Sequence, residues 1–308
     1  MTTINLRALS RYSDSLSHVY LEHAVIEQEG HSIAAFTPDG RITLPAANLS
    51  SVVLGPGTRI THAAIKVLAE CGALIAWTGS EGLKFYACGQ SKTRTSQGIE
   101  QQAHYWADSA LHLQVVRRMY TYRFHEVLSE QLTLQQIRGK EGVRVREAYQ
   151  NLSKVYGVPW NGRRYDRNAW EDADPINKAL SAANAALYAI VLAGLHSLGY
   201  SPSLGFIHTG KQLSFVYDVA DLVKTETSMP AAFEAAAGGA EKVESRARRI
   251  LRDRCCHDRL QDRLTKAVPA LFAAKAEELE RATANEVVSL WDGDGTVRGG
   301  QLHGGNDS

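Results

Sequence analysis

The stretch that divides this chain is Gly89-Gln-Ser-Lys-Thr-Arg-Thr-Ser-Gln-Gly98. It has no apolar anchor, and a polar run between glycines is typical of a linker. Before it, short apolar runs alternate with turn residues, whereas after it the apolar residues recur at helical spacing. We therefore predict a linker over residues 90–98, which follows an N-terminal domain of residues 1–89.

The N-terminal segment has the pattern of strands and hairpins. Ser32-Ile-Ala-Ala-Phe and Arg41-Ile-Thr-Leu-Pro flank the turn sequence Thr37-Pro-Asp-Gly, and this arrangement predicts a hairpin. Thr58 follows a glycine-proline turn, and we predict that it caps a short helix running to about Ala69. A small, mostly β domain with one helix is expected.

The segment after the linker has the pattern of helices. One apolar stripe is formed by Leu111, Val115, Met119, Tyr122 and Val127. Asp174 followed by Pro175 predicts the start of a helix, and Gly199 predicts its end. We predict an α+β fold, with a larger all-α domain over residues 99–284 and a flexible, acidic, glycine-rich tail over residues 285–308.

The formal net charge of +1 conceals an uneven distribution of charge. Basic residues exceed acidic ones by 6 over residues 90–170 and by 5 over residues 241–275. Acidic residues exceed basic ones by 4 over residues 171–240 and by 5 over residues 276–308. Basic surface around a few carboxylates is what a metal-dependent nucleic-acid enzyme requires, because cations hold phosphates and carboxylates hold metal ions. The alternative is that charged helix faces simply alternate.

Composition and motifs exclude several classes of protein. Hydrophobic residues make up 44% of the 308 residues, which excludes disorder over the whole chain. We find no apolar run near the roughly 18 to 20 residues of a membrane span and no signal-peptide core, so a soluble cytoplasmic protein is expected. The four cysteines form no C-x-x-C pair, which argues against a zinc ribbon. Neither a P-loop ending nor a G-x-S-x-G motif occurs, which disfavours an ATPase or a serine hydrolase.

Glu141 is the first candidate for chemistry, because we place it at the head of an apolar helix stripe. The stripe that follows it, at steps of 4, 3, 4 and 3 residues, is Val145, Ala148, Leu152 and Val155. We predict that the helix starts near Glu141. A carboxylate in this position costs several kcal/mol if it is desolvated without a partner, so a metal, a basic side chain or a solvated cleft edge should accompany it. The alternatives to a functional role are an ion pair with an interior arginine and a frayed first turn.

The second group of candidates lies on a helix predicted over residues 214–224. Ser214, Asp218 and Asp221 would share one face of this helix at steps of 4 and 3 residues. The two carboxylates repel each other unless a cation or solvent compensates. His208 precedes a glycine turn and is expected to point into the same cleft. One imidazole with two or three carboxylates suits Mg²⁺ or Mn²⁺, whereas a core histidine and a solvated face are the alternatives.

Aromatic and basic residues alternate in the loop from Tyr156 to Trp170, which includes Arg163 and Tyr165. Bases stack on such rings while arginines bind phosphates, so the pattern is typical of nucleic-acid binding. A packed loop that plugs the domain explains it equally well. A further helix, predicted from about Glu241, is either a phosphate-binding track or a solvated face. Its arginines are Arg246, Arg248, Arg249, Arg252 and Arg254.

Four segments of the chain together match one known family. They are Leu54-Gly-Pro-Gly-Thr-Arg-Ile-Thr-His-Ala-Ala, Gln136-Ile-Arg-Gly-Lys-Glu-Gly-Val-Arg-Val-Arg, Tyr156-Gly-Val-Pro-Trp-Asn-Gly-Arg-Arg-Tyr and Gly205-Phe-Ile-His-Thr-Gly-Lys-Gln-Leu-Ser-Phe-Val-Tyr-Asp-Val-Ala-Asp. The elements R-G-x-E-G, G-F-x-H-T-G and Y-D-x-A-D occur in this order. The segments closely resemble the CRISPR-associated integrase and endonuclease of spacer acquisition, in particular its subtype I-E branch. The resemblance covers about residues 15–265.

The resemblance implies an N-terminal β-sandwich-like domain, an α-helical catalytic domain and a homodimer. It also implies a complex with the small companion CRISPR acquisition protein (Cas-two). The metal ligands that it implies, for Mg²⁺ or Mn²⁺, are Glu141, His208 and Asp221. Asp218 is implied as a supporting carboxylate, and Lys211 and Tyr188 as catalytic neighbours that contact DNA near the site.

Several basic positions are implied by the resemblance to bind DNA. They are Arg59, Lys66, Lys84, Arg163, Arg246, Arg248 and Arg249. With Tyr165 and Trp170 of the aromatic loop, these are the predicted DNA contacts. Lys66 and Lys84 stand where arginine is expected in some relatives, which keeps the charge but loses bidentate phosphate geometry. His23 stands where relatives have the tyrosine that wedges open the duplex end.

The predicted function is a metal-dependent DNA endonuclease and integrase. The terminal 3′-hydroxyl of a captured fragment would attack a phosphodiester at the boundary of a CRISPR repeat. One alternative is a non-catalytic architectural DNA-binding protein whose acidic residues only form ion pairs. Another is a branched-DNA repair nuclease, which differs only in substrate. Double-stranded DNA is the expected partner, and no membrane is expected.

Overall fold

The computed structural model describes residues 17–79, 85–89, 96–163 and 174–273, and two short strands beyond them. It groups Met1–Phe272 into one compact unit and Ala273–Ser308 into another. The strands are β1 (Ser17–Leu21), β2 (Val25–Glu29), β3 (Ser32–Thr37), β4 (Gly40–Pro45), β5 (Leu49–Leu54), β6 (Arg59–Ile60), β7 (Leu74–Thr78), β8 (Phe85–Gly89), β9 (Ser289–Trp291) and β10 (Thr296–Arg298). The helices are α1 (His62–Glu70), α2 (Gln97–Ala107), α3 (Ser109–Phe124), α4 (Leu134–Tyr156), α5 (Pro175–Ser197), α6 (Ser214–Asp221), α7 (Ser228–Ala237), α8 (Val243–His257) and α9 (Leu260–Ala270).

Two four-stranded sheets make up the N-terminal part. The first has the order β1-β5-β7-β8, in which β1, β5 and β7 run parallel and β8 is antiparallel to β7. The second has the order β4-β3-β2-β6, in which β3 is antiparallel to both of its neighbours. In the register of β3 and β4, Ile33 lies opposite Leu44, and the last pair before the turn is Thr37 and Gly40. The predicted hairpin is therefore confirmed.

One apolar cluster joins the two sheets and α1. Its members include Leu21, Ile26, Ile33, Val52, Leu68 and Ile75. The predicted cap of α1 was wrong by three residues, because the Thr61 hydroxyl oxygen accepts the N–H of Ala64 at 3.3 Å. Thr58 instead donates its hydroxyl to the Gly55 carbonyl at 2.8 Å and stabilises the preceding turn. The sandwich-like N-terminal domain is confirmed.

Helix α5 is the centre of the helical part. Its caps are as predicted: the Asp174 carboxylate accepts the N–H of Asn177 at 2.8 Å, Pro175 is the first helical residue, and Gly199 follows the helix with a φ of 76°. The helix contacts β5 and β7 on one side and α6, α7, α8 and α9 on others. It therefore connects the first sheet to the helical core, and the larger helical domain is confirmed.

Helix α5 also corrects our expectation about apolar runs. It is long and apolar enough to cross a membrane by length and composition, and it is the one helix of the described residues that meets this test. However, 78% of its apolar window is buried inside the protein. Burial of that extent is what the core helix of a soluble domain requires, so the apolar sequence is explained by packing.

Helix α4 begins before Glu141, and the predicted start near that residue was wrong. Thr133 and Gln136 form a capping box: the N–H of Gln136 donates to the Thr133 hydroxyl at 3.3 Å, and the N–H of Thr133 donates to the Gln136 side chain at 2.9 Å. Glu141 is thus two turns inside a capped helix, which excludes a frayed first turn.

The last residue of each predicted apolar stripe is exposed. These residues are Val127, in the stripe that starts at Leu111, and Val155, in the stripe that starts at Glu141.

Two further segments differ from the predicted boundaries. Helix α2 begins at Gln97, inside the predicted linker. Gly98 packs against the turn that follows α5, so closely that a Cβ would lie 2.7 Å from the Leu198 carbonyl oxygen. Helix α6 ends at Asp221 rather than at residue 224. Within the unit Ala273–Ser308, β9 and β10 form an antiparallel pair in the segment that we predict as a flexible tail.

Candidate active site

Asp218 is completely buried and is held by the loop that precedes α6. Its Oδ2 accepts the backbone N–H of Phe206 at 2.6 Å and that of Ile207 at 3.0 Å. Its Oδ1 accepts the backbone N–H of His208 at 2.9 Å and lies 2.7 Å from Nδ1 of the same residue. Because α6 is amphipathic, position 218 falls on its buried side, where an unpaired carboxylate would be costly. The loop therefore folds around this carboxylate.

His208 is positioned by a tight turn that begins at Gly205. A Cβ on Gly205 would lie 2.2 Å from the His208 carbonyl oxygen and 2.7 Å from Ser214, so a side chain cannot fit. Ser214 closes the loop from the other side, since its Oγ accepts the N–H of Lys211 at 3.0 Å and donates to the carbonyl of the same residue at 2.9 Å. The His208 side chain is 44% exposed. With Nδ1 on Asp218, Nε2 is the ring nitrogen that remains for a ligand.

Asp221 lies one turn beyond Asp218 and has basic partners. Lys224 donates to its Oδ1, and Nη2 of Arg123 lies 3.3 Å from its Oδ2. Burial raises the pKa of Asp221, but the charges of Lys224 and Arg123 outweigh this effect and hold the pKa below its ordinary value. Lys224 also donates to the Tyr188 hydroxyl at 3.2 Å. Burial lowers the pKa of Lys224, yet Asp221 and Tyr188 together raise it above its ordinary value.

Glu141 is paired with two arginines. Arg144, one turn later on α4, donates from Nε to Oε2 at 2.9 Å and from Nη2 to Oε1 at 3.1 Å. This fork occupies both oxygens of the carboxylate. Nη1 of Arg123 donates to Oε1 at 3.5 Å. Of the alternatives that the sequence left for Glu141, pairing with basic side chains is the one observed.

Arg123 joins the two acidic residues. Its side chain is 4% exposed, and its guanidinium lies between Glu141 of α4 and Asp221 of α6. Its Cζ is 5.3 Å from the centre of the Tyr120 ring. Its Nε and Nη2 have no hydrogen-bond partner, so charge attraction rather than well-formed hydrogen bonding relates it to Asp221. Glu141 and Asp221 of α6, which we predict to lie close together, thus both contact one buried cation, Arg123.

The predicted shared face of Ser214, Asp218 and Asp221 divides into two parts. Ser214 and Asp218 are buried and organise the His208 loop, whereas Asp221 faces the basic cluster. Within the described ranges, no three His, Cys, Asp or Glu side chains are placed as a ready-made metal site. The carboxylates of Glu141 and Asp221 are instead directed at arginine and lysine nitrogens.

The predicted DNA-binding residues occupy different settings. Arg59, Lys66 and Arg249 are exposed, and Lys66 lies 3.9 Å from Glu70. Arg246 is bound to the main chain, since it donates to the carbonyl of Ala235 at 2.8 Å and to other carbonyls before α8. The positions that lie outside the described residues are Lys84, Tyr165 and Trp170.

A cavity of about 320 Å³ lies beside Tyr188, between the first sheet and α5. Its polar and aromatic lining includes His18, Tyr20, Arg163, Tyr188, Tyr217 and Arg248. The Arg248 guanidinium lies 4.7 Å from the centre of the Tyr20 ring. Arg163 donates to the Asn177 carbonyl at 2.9 Å and to Ser181 at 2.7 Å. The cavity thus combines aromatic faces with two guanidinium groups, a combination that suits a nucleic-acid strand.

Sequence reasoning missed the three basic residues that surround the acidic ones. Arg144 and Lys224 each follow a candidate carboxylate by three residues, Glu141 and Asp221 respectively. That spacing brings side chains together on a helix and could have indicated both pairs. Arg123 lies on α3, far from both carboxylates along the chain, so no local signal points to it.

Comparison with known proteins identifies the family. The family model described as CRISPR associated protein Cas1 matches residues 121–235, which contain all the acidic candidates. A Thermus thermophilus protein named CRISPR-associated endonuclease Cas1 2 is 48% identical over 307 residues, which covers 98% of this chain and 94% of the relative. This chain belongs to the Cas1 family. The Cas1 endonuclease of Escherichia coli K12 is 40% identical over 241 residues, covering 78% of this chain and 79% of that one.

Solved structures of Cas1 proteins share the fold. The chain in a crystal structure of a TtCas1–DNA complex is 47% identical and superposes with a TM-score of 0.78, covering 92% of this chain and 100% of that one. A casposase bound to its integration product is only 10% identical and has a TM-score of 0.59, which shows a common fold. The prediction of a CRISPR-associated endonuclease is confirmed, whereas the subtype I-E assignment stays a prediction.

Proposed function

We propose that this Cas1 chain is a divalent-metal-dependent DNA endonuclease and integrase that inserts captured DNA fragments into a CRISPR repeat array. The observation that carries the proposal is that Glu141 of α4 and Asp221 of α6 both contact Arg123. The two carboxylates are thus brought together from segments far apart in the chain. His208 is held by Asp218, which lies one turn from Asp221 on α6, and this arrangement supports a reaction centre there.

The donor set suits Mg²⁺ or Mn²⁺. Two carboxylates and one imidazole are mostly hard oxygen donors, and Asp218 orients the His208 ring through Nδ1 in the way that metal-bound histidines are commonly oriented. We assign Glu141, Nε2 of His208 and Asp221 as the metal ligands. When bound, the ion would polarise the phosphodiester and stabilise the charge that develops during transfer.

The proposed reaction is a transesterification. The 3′-hydroxyl oxygen of the captured fragment forms a bond to phosphorus at the repeat boundary, and the bond from phosphorus to the 3′-oxygen of the repeat strand breaks. The attacking hydroxyl loses its proton to solvent and the leaving oxygen takes one up. Because one phosphodiester replaces another, the protein must supply mainly positioning. Lys224 and Tyr188 beside Asp221, with the exposed Lys211 on the His208 loop, are proposed to position the DNA.

DNA is the proposed partner of the surrounding basic surface. Arg59, Lys66 and Arg249 are exposed, and Arg163 and Arg248 line the cavity beside Tyr188. A relative 47% identical to this chain has been crystallised with DNA. We extend the proposal to Lys84, Tyr165, Trp170 and Arg246, of which Arg246 is bound to carbonyl groups and is expected to contribute least.

The proposal includes the assembly and location that the family resemblance implies. The chain would act as a homodimer, in complex with the small companion acquisition protein, on double-stranded DNA of the cytoplasm. Val25 and Phe36 lie opposite each other on β2 and β3, so they share one face of the second sheet, and both are exposed. An exposed apolar pair of this kind supports a covered face in such an assembly.

The test is strand transfer of a short duplex into a plasmid that carries a CRISPR repeat, with the companion protein present. Asp221→Asn and His208→Asn should each reduce integration at least about a hundredfold, because each removes a metal ligand. Asp253→Asn is the matched control, since Asp253 is an exposed carboxylate on α8 that pairs with Arg252. Full integration by either site variant contradicts the proposal. Cleavage of flapped DNA without integration would favour a repair nuclease instead.

A further inference from the structure

Three basic side chains already contact the two acidic ligands in the protein alone. The carboxylates are Glu141 and Asp221, and the basic side chains are Arg123, Arg144 and Lys224. A divalent cation that enters this group meets no surplus of negative charge, and it is repelled by cations only a few ångströms away. At least one basic side chain must therefore move when the ion binds.

The three basic side chains differ in their freedom to move. Arg123 is 4% exposed and lies against the Tyr120 ring, so it has no space to leave. Lys224 is held by hydrogen bonds to both Asp221 and Tyr188. Arg144 is 27% exposed, and among the described residues it has, besides Glu141, only a 3.4 Å hydrogen bond to the Thr225 hydroxyl and the Phe124 ring, whose centre is 5.8 Å from Cζ. Arg144 is therefore the side chain that can turn outwards at the lowest cost.

Arg144 also stands in the way of the metal. Its fork occupies both oxygens of Glu141, so the carboxylate has no oxygen that is free of a guanidinium nitrogen. Arg123 adds a third contact to this carboxylate, at Oε1. A ligand role for Glu141 requires that the Arg144 fork open.

We propose that Arg144 is an exchangeable counter-ion that pairs with Glu141 in the protein alone and with a DNA phosphate when the divalent ion is bound. The inference rests on the proposed function, because it takes Glu141 as a metal ligand. In the exchange, the guanidinium gives up one anionic partner and gains another, so its charge stays neutralised throughout. The free chain binds the ion weakly, and DNA strengthens ion binding because it gives Arg144 its second partner. By thermodynamic reciprocity, the ion strengthens DNA binding by the same factor.

The first test is a calorimetric titration of the full chain with Mn²⁺ in the absence of DNA. Arg144→Gln should bind Mn²⁺ about tenfold more tightly than the native chain, because a competing cation is removed from Glu141. Arg146→Gln is the matched control, since Arg146 is exposed on the same helix and its loss removes the same charge. The control should change the affinity less than about twofold. Thermal unfolding without metal verifies that the variants are folded.

The second test repeats the titration with a short DNA duplex present. The native chain should gain Mn²⁺ affinity on adding DNA, and Arg144→Gln should gain clearly less. The inference is overturned if Arg144→Gln binds Mn²⁺ no more tightly than the native chain, or if Arg146→Gln gains as much. Glu141→Gln and Asp221→Asn, titrated in parallel, separate this inference from the proposed function. If they keep native Mn²⁺ affinity, the metal site itself is wrong, whatever Arg144 does.

Discussion

Asp218 and Asp221 lie one turn apart on α6 and are held in opposite ways. Asp218 is fully buried, and its partners are three backbone N–H groups and the ring of His208. Asp221 is 22% exposed, and its partners are the charged ends of Lys224 and Arg123. Backbone hydrogen bonds are lost only if the loop unfolds, whereas a salt-bridge partner can be replaced by another cation. Asp218 is thus part of the framework of the loop, whereas Asp221 is the carboxylate that we propose for the reactive centre.

The largest expected effect is that of Asp218→Ala on stability. Removing this carboxylate leaves the backbone N–H groups of Phe206, Ile207 and His208 without their acceptor and His208 without its partner. This should lower the free energy of unfolding by about 3 kcal/mol or more. Asp221→Ala should cost only about 1 kcal/mol, because Lys224 keeps Tyr188 as a partner. Denaturant unfolding in the absence of metal measures both. Equal losses would remove the distinction between framework and reactive centre.

Arg123→Met tests the buried cation that joins the two carboxylates. We expect a loss of about 2 kcal/mol, because Glu141 and Asp221 keep their outer partners but lose the charge between them. Arg144→Met removes a more exposed guanidinium and should cost less than about 1 kcal/mol. If Arg123→Met is as stable as the native chain, Arg123 does not hold the pair together.

Tyr188→Phe tests the hydrogen bond that links Lys224, the partner of Asp221, to the Tyr188 hydroxyl. The change removes the hydroxyl that accepts from Lys224 but keeps the ring, whose centre lies 5.0 Å from that of Tyr217. The expected loss in the free energy of unfolding is about 0.5 to 1 kcal/mol, the usual contribution of one hydrogen bond. Tyr217→Phe is the matched control at the neighbouring ring. A loss as large as that of Asp218→Ala would place Tyr188 in the framework.

The smallest expected effect is a pH dependence from Asp221. Its pKa in the folded chain is below the ordinary value of 3.8, so the unfolded chain binds its proton first as the pH falls. The stability that Asp221 contributes is present above about pH 4 and is lost as the pH drops through the folded pKa. The free energy of unfolding of Asp221→Asn, measured across this range, should therefore depend less on pH than that of the native chain. An identical pH slope would contradict the ion pairing.

Sequence reasoning succeeded where the signal was local. The Asp174–Pro175 cap and the hairpin at Thr37 depend on adjacent residues, and the structure has both. It failed at the start of α4, because the capping residues Thr133 and Gln136 precede the apolar stripe that was used to place the helix. Thr61 rather than Thr58 caps α1 because the helix begins at His62, which brings the N–H of Ala64 within reach of the Thr61 hydroxyl.

The sequence indicated which residues to consider for the candidate site, but it did not indicate the contacts between them. The spacing of Asp218 and Asp221 indicated a helix face, yet their division depends on a loop that folds back at Gly205 and directs its N–H groups at one carboxylate only. The Arg123 guanidinium reaches the site from another helix, and such a contact depends on tertiary packing. Neither feature has a periodic signal in the sequence.

The most direct test of the account is a crystal structure of the chain with bound Mn²⁺, located by its anomalous scattering. We expect a peak coordinated by Glu141, Nε2 of His208 and Asp221, with Asp218 still bound to the loop and Arg144 turned away from Glu141. A peak elsewhere, or an intact Arg144–Glu141 fork beside an ion bound at this site, would contradict the exchange. The absence of any peak at this site at saturating Mn²⁺ would contradict the proposed metal centre.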